Sequence, residues 1–345
     1  MVEKNLDFRS DTVTLPTPEM LKAAVSAPLG DDVYEEDPTV NELERLAAEM
    51  LGKEAGLFVT SGTMGNAVAV LAHTNRGDEI ILEERSHIYL NEVGGLAVMG
   101  SLMARTIKGD MGWLRPEDIR TAVRADNIHL PPTSLLCIEN THNTAGGIPI
   151  TVDQMKADWD VAKEHGLGVH LDGARVFNAA VALGVDVKEI SQYADTVQVC
   201  LSKGLAAPVG SVVVGSETLI KKARKYRKML GGGMRQAGII AAPGIIALTK
   251  MVDRLADDHD NARLLAEGLR KIDGIEIKFP VLTNMVYIEL SGLGWTGREW
   301  GEACGKLGWT SRGASPTVRL CTHYGIERED IEAFLEGIAE IIPKK

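Results

Sequence analysis

The sequence predicts an α/β protein, with a large domain built on a mostly parallel sheet and a smaller α+β domain at its C-terminal end. Three observations carry that reading. Short apolar runs rich in β-branched residues alternate with segments of helical periodicity over the first two thirds of the chain. Two of those runs, residues 168–171 and 196–201, lead into Asp172 and Lys203, 31 residues apart, which is room for one strand-helix-strand crossover. After about residue 248 the alternation gives way to a different order of helices and strands.

In chain order, the apolar runs at 55–60, 79–82, 134–139, 168–171, 196–201 and 211–214 read as strands of the large sheet. Between them, residues 39–51 place Val40, Leu43, Leu46, Ala47 and Met50 at helical spacing, and 116–123 and 153–165 behave alike. The most apolar stretch, 237–251, contains Gly238, Pro243 and Gly244 and is too short to span a bilayer, so it reads as a buried helix. The C-terminal part is expected to hold a long helix over 248–272 and strands over 275–279 and 285–290. A helix over 297–307, a strand over 317–321 and a last helix over 330–342 complete it. The boundary falls between a large domain, 1–248, and a small one, 249–345.

The chain has 345 residues, 45% of them hydrophobic, which is ample for a large core. Its net charge of −11 argues against nucleic acid as a partner, and the one basic run, 221–228, reads mostly as a solvated helix face. Cys137, Cys200, Cys304 and Cys321 form no CxxC pair, which fits a reducing, cytoplasmic setting better than a disulfide framework or a zinc site. No apolar leader opens the chain, and no membrane partner is expected.

Ligands bind at the carboxyl ends of parallel strands, so Asp172 and Lys203 are expected at one mouth of the sheet. An amine and an acid placed so suit pyridoxal phosphate: the amine condenses with its aldehyde, and the acid keeps its pyridine nitrogen protonated. The plainer readings are a turn for Asp172-Gly173 and a solvated Lys203. Thr60-Ser61-Gly62-Thr63-Met64-Gly65-Asn66 follows a strand and opens a helix, where N–H groups bind phosphate, although it matches neither GxGxxG nor a Walker loop. His87 follows the next strand and is placed to stack on a flat ring or to shuttle protons, a lone histidine being more often structural. Glu139-Asn140-Thr141-His142-Asn143 ends another strand at the same edge. Arg319 lies inside an apolar strand and needs an anion, either a substrate carboxylate or an internal ion pair. The context of His129 is uninformative.

These segments together resemble the L-threonine aldolase family, including its low-specificity and L-allo-threonine members. The likeness runs through Phe8-Arg9-Ser10-Asp11-Thr12-Val13-Thr14, Gly30-Asp31-Asp32-Val33-Tyr34, Ser61–Asn66, Glu139–Asn143, His170–Arg175, Ser202-Lys203-Gly204-Leu205 and Gly231-Gly232-Gly233-Met234-Arg235-Gln236. The resemblance implies the aspartate aminotransferase-like fold, fold type I. It also implies a pyridoxal phosphate-dependent lyase that cleaves L-threonine or L-allo-threonine to glycine and acetaldehyde. Members usually form tetramers built from dimers whose active sites borrow residues from a neighbouring subunit. By position, Lys203 would bind the cofactor covalently, Asp172 would pair with the pyridine nitrogen, His87 would stack on the ring, and Gly62 and Thr63 would take the phosphate. Ser10, Arg175 and Arg319 would hold the substrate carboxylate, and His129 would lie near the substrate hydroxyl. Lys228 and Arg235 would reach the partner's site, and Thr12 and Thr14 are similar to a segment that lies near a cation in some members. The base is left open between His87, His129 and a water. Another fold type I enzyme, such as a β-eliminating lyase or an aminotransferase, is the alternative, and a non-catalytic cofactor-binding protein the more distant one.

Overall fold

Seven strands of the computed structural model, which describes residues 6–342, lie in one sheet. They are β1 (Ala55–Val59), β2 (Glu79–Glu83), β3 (Met103–Ile107), β4 (Thr133–Glu139), β5 (Gly168–Asp172), β6 (Thr196–Cys200) and β7 (Ser211–Gly215). Their order is β1-β7-β6-β5-β4-β2-β3, and only β7 runs against its neighbours. The central strands are buried on both faces; β2, β4 and β7 carry continuous apolar runs, whereas β5 and β6 bury His170 and Gln198 among their apolar residues. The register lines up polar residues at the C-terminal edge: Glu139 stands beside Asp172, and Asp172 beside Gln198.

A second sheet, β10-β9-β8, is formed by β8 (Glu276–Ile277), β9 (Met285–Glu289) and β10 (Thr317–Cys321). Its own apolar cluster centres on Trp300, Phe334, Leu320 and Ile288. Phe8, from the other end of the chain, enters that cluster and stacks on Trp309 with ring centroids 4.1 Å apart. The backbone of Phe8 also bonds Thr310 and Cys321, so the N-terminal segment is laid along the small sheet before it reaches the large one.

Helix starts follow local chemistry. The helix Gly62–His73 begins at Ser61, whose hydroxyl accepts from Met64 N. Asp37 caps the helix Pro38–Met50 by accepting from two N–H groups, with proline at the first position. The buried helix expected over 237–251 is present as Gly238–Lys250, and the helix expected over 248–272 is shorter, Leu255–Leu269. A turn separates them, and Arg254 there pairs with Asp258 one helical turn further on. The strand expected over 275–279 is only two residues long, and β3 was not foreseen, because this edge strand carries exposed and half-exposed residues with no apolar run. All four cysteines are buried and unpaired.

One buried carboxyl lies far from the sheet edge. Asp158, on the helix Val152–Glu164, accepts from Trp113 Nε1 at 3.1 Å, while its Oδ2 has no partner. Burial pushes its pKa up to about 8, with the Trp113 bond opposing. The folded state therefore keeps a proton that the unfolded chain has already released, and stability falls as pH rises from about 4 through about 8. Asp158→Asn keeps the acceptor for Trp113 and removes that slope. It is expected to raise the melting temperature at pH 8 more than at pH 5, as measured by calorimetry at the two values.

Candidate active site

Asp172 closes β5 with 2% of its surface exposed. A carboxylate so buried needs donors, and three converge on it. Asn66 Nδ2 donates to Oδ2 at 3.0 Å, and Ala174 N donates to Oδ1 at 3.2 Å. The Gln198 amide satisfies its surroundings when its nitrogen faces Oδ1, 3.1 Å away. The helix that carries Asn66 can press this close because Gly62 and Gly65 lack side chains. A Cβ at Gly62 would stand 2.8 Å from Cys200 Sγ, and one at Gly65 2.6 Å from Gln198 Cγ.

In front of Asp172 opens a cleft of about 330 Å³ lined by Thr12, Gly62, Thr63, His87, Asp172 and Lys203, together with Ser61, Asn66, Glu92, Gln198 and Ser202. Lys203 sits on the loop after β6. The Lys203 carbonyl accepts from Ala206 N at 2.9 Å and from the Thr14 hydroxyl at 2.9 Å, so the loop is fixed both internally and by the N-terminal segment.

Behind the cleft runs a chain of polar side chains. The other hydrogen of the Asn66 amide goes to Glu92 Oε1 at 2.8 Å, and the same oxygen lies 3.0 Å from His87 Nδ1. On the opposite side Asn66 Oδ1 faces His170 Nε2 at 3.1 Å. His170 Nδ1 meets Thr196 Oγ1, which in turn meets His73 Nε2. Burial pushes His170 down to about 3 and His73 to about 4, so both are neutral rings at physiological pH. His87 is raised instead, chiefly by its bond to Glu92. Burial, together with nearby Asp172, raises Glu92, although His87 and Asn66 oppose. His87, Glu92 and Asp172 bring ligand-type atoms within 4.8 Å of one another, but these atoms bond each other and Asn66.

The outer rim is built by charges. Arg175 Nε and Nη2 bind Asp11 at 2.7 and 2.6 Å, both residues being buried. Burial alone would raise Asp11, but Arg175, with Lys203 and Arg319 beyond it, holds the carboxyl well below the usual range. Arg319, on β10, donates to Asn143 Oδ1 at 2.6 Å and to the Arg9 carbonyl at 3.0 Å. Tyr287 OH donates to the Asn143 carbonyl, and Glu139 accepts from the backbone N–H of both Asn143 and His87. Among the described residues no carboxylate forms an ion pair with Arg319.

The structure thus gathers Lys203, Asp172, His87, Gly62, Thr63 and Thr12 around one cleft, with Arg175, Arg319, Ser10 and Thr14 on the segments beside it. Ser10 caps the short turn Asp11–Val13. Three expected residues stand apart within this chain. His129 is exposed and precedes β4, at the sheet end opposite the cleft. Lys228 is exposed near the end of the helix Glu217–Met229, and Arg235 is exposed and paired with Asp31. Asn66, Glu92, Asn143, Gln198 and Asp11 were missed as individual residues. Asn66, Asn143, Asp11 and Gln198 lie inside segments already singled out, whereas nothing around Glu92 marks it.

A mostly parallel sheet whose C-terminal edge sets a lysine loop before a buried aspartate is the arrangement expected of the fold type I resemblance. A sequence model described as beta-eliminating lyase matches residues 7–291. A low specificity L-threonine aldolase of Escherichia coli K12 is 46% identical over 330 residues, 94% of this chain and 96% of that one. A probable low-specificity L-threonine aldolase of Arabidopsis thaliana is 44% identical over 347 residues, 98% of this chain and 97% of that one. Among solved structures, a threonine aldolase of Leishmania major superposes with a TM-score of 0.81 at 22% identity, covering 98% of this chain and 99% of that one. The chain belongs to the beta-eliminating lyase family, on the branch of the low-specificity threonine aldolases.

Removing the Asn66 amide would leave two neighbouring carboxylates without a shared donor. Asn66→Ala is expected to cost about 1–3 kcal/mol of stability at pH 8. The loss should shrink as pH falls, because burial and Asp172 raise Glu92 and its protonation relieves the repulsion; urea titrations at pH 8 and at a lower pH measure it.

Proposed function

We propose that this protein is a pyridoxal phosphate-dependent aldolase that cleaves L-threonine and L-allo-threonine to glycine and acetaldehyde. The observation that carries the reading is the Asp172–Lys203 pair at one cleft, with the glycine-opened start of a helix beside it. The residues fit the cofactor: a buried carboxylate for a protonated ring nitrogen, an amine for its aldehyde, and the N–H groups and hydroxyls of Gly62, Thr63, Ser61 and Ser202 for its phosphate. When bound, pyridoxal phosphate supplies the electron sink that takes the pair left at Cα.

The chain's own residues supply the rest. Arg319, seated by Asn143 and the Arg9 carbonyl, takes the substrate carboxylate, with Ser10 beside it. Arg175 is bound at two nitrogens by Asp11, so we assign it the shaping of that wall and a lesser share of the carboxylate. A fixed carboxylate orients the Cα–Cβ bond for cleavage, and this is catalysis by orientation. His87 receives the hydroxyl proton, acetaldehyde departs, and Cα is reprotonated to give glycine. A positioned base contributes about 10²–10⁴-fold.

His129, Lys228 and Arg235 join a site only if they are carried to another copy, and we read the protein as a homo-oligomer with shared active sites. In support, Leu29, Tyr34, Met229 and Ile239, near Lys228 and Arg235 in sequence or packing, are exposed apolar residues, as are Ile128 and Leu130 flanking His129. Among the described residues no helix is long and apolar enough to cross a membrane.

Lys203→Ala is expected to abolish the visible absorption of the lysine-bound cofactor and the cleavage with it; a retained band overturns the cofactor assignment. Arg319→Ala is expected to weaken amino-acid binding by about 1.5–3 kcal/mol, tenfold or more, and to leave cofactor affinity nearly unchanged. Equal losses in spectroscopic titrations with glycine and with cofactor would make Arg319 structural instead.

A further inference from the structure

We propose that Glu92 is a positioning residue that fixes the tautomer of His87, so that Nε2 is the ring atom that exchanges the proton. The inference rests on the cleavage reading and deepens it. Two carboxylates set the geometry. Asp172 Oδ2 and Glu92 Oε1 both face Asn66 Nδ2, which has two hydrogens and supplies one to each. The amide cannot turn over, because its oxygen would then face both carboxylates. His170 Nε2 must therefore carry a hydrogen for Asn66 Oδ1, and its Nδ1 accepts from Thr196. The two carboxylates thus lock the orientation of the amide, and the amide in turn fixes the tautomer of His170.

Glu92 Oε1 already accepts from Asn66 and lies 3.0 Å from His87 Nδ1. An ionised carboxylate has no proton to give, so His87 Nδ1 carries the hydrogen in both charge states of the ring. The lone pair of the neutral ring is left on Nε2, which no described residue bonds. A carboxylate orients a catalytic imidazole in the same way in hydrolase triads. The backbone of His87 is held independently, its N–H donating to Glu139 Oε2 at 2.6 Å. The groups that face the ring are Glu92 from the following loop, Asp172 from β5 and Lys203 from the loop after β6, with Glu139 at the end of β4 behind it. Glu92 and Asp172 favour the charged ring, while burial and Lys203 oppose it.

The test compares the wild type with E92Q and E92D, using histidine-selective ¹⁵N labelling and two-bond ¹H–¹⁵N spectra. The His87 signal is assigned with H87N. Spectra of the cofactor-free and cofactor-loaded proteins are recorded across pH. Neutral His87 is expected as the Nδ1–H tautomer in the wild type. In E92Q its midpoint should fall by about one pH unit or more. E92D keeps the charge and should keep most of the elevation. The acid limb of kcat/KM should move with the midpoint in E92Q, and the plateau should fall about 10- to 100-fold while the cofactor band is retained. An Nε2–H tautomer in the wild type, an unmoved midpoint in E92Q, or a loss of rate without movement of the limb each overturns the proposal. If the wild type shows neither cofactor band nor cleavage, the functional reading fails, while the tautomer and midpoint of the cofactor-free protein still decide the role of Glu92.

Discussion

The burial of the Asp172 carboxyl group is the constraint on which the site depends. A carboxylate with 2% exposure needs donors in place of water, and each donor here fixes a different element. Gln198 extends the row of strand ends into β6. Ala174 N defines the turn after β5. Asn66 brings in a whole helix, and Gly62 and Gly65 are the residues that let that helix come close enough. From Asn66 the same requirement passes outward to Glu92 and His87 on one side, and inward to His170, Thr196 and His73 on the other. Partly satisfied polar networks are unfavourable in a core, so one buried group propagates into a set of mutually dependent orientations.

A second constraint joins the two sheets. Phe8 anchors the N-terminal segment in the apolar cluster of the small sheet, and three residues later Asp11 meets Arg175 at the end of β5. Breaking a buried pair of this kind costs about 3–5 kcal/mol, because the remaining charge is stranded. Thr14 then bonds the Lys203 carbonyl, and the Arg9 carbonyl bonds Arg319. A stretch of six residues thereby touches the lysine loop, the large sheet and the small sheet. The walls of the cleft belong to distant parts of the sequence and are held together by this segment.

Much of this was legible in the sequence, for identifiable reasons. Short, mostly apolar runs rich in β-branched residues that lead into Asp172 and Lys203 marked β5 and β6, because strands buried on both faces leave few places for charge. The start of the helix after β1 was legible from its glycines and hydroxyl residues. Arg319 was legible as a charge inside an apolar strand, although its partners are a neutral amide oxygen and a carbonyl rather than a carboxylate. The edge strand β3 escaped because a half-exposed strand has no apolar run. The break between residues 250 and 255 escaped because helical periodicity continues across it. Glu92 escaped for a different reason: its importance comes from contacts between segments, which leave no local pattern, while Gln198 lay inside a run already singled out but was not picked from it because its role comes from register beside Asp172.

The most direct test of the central claim is product analysis with purified protein loaded with pyridoxal phosphate and given L-threonine or L-allo-threonine. Acetaldehyde and glycine should appear in equal amounts from at least one of the two. Formation of a keto acid and ammonia in their place would contradict the account, and would show that this cleft directs the same pair of charged residues to elimination rather than to carbon–carbon cleavage.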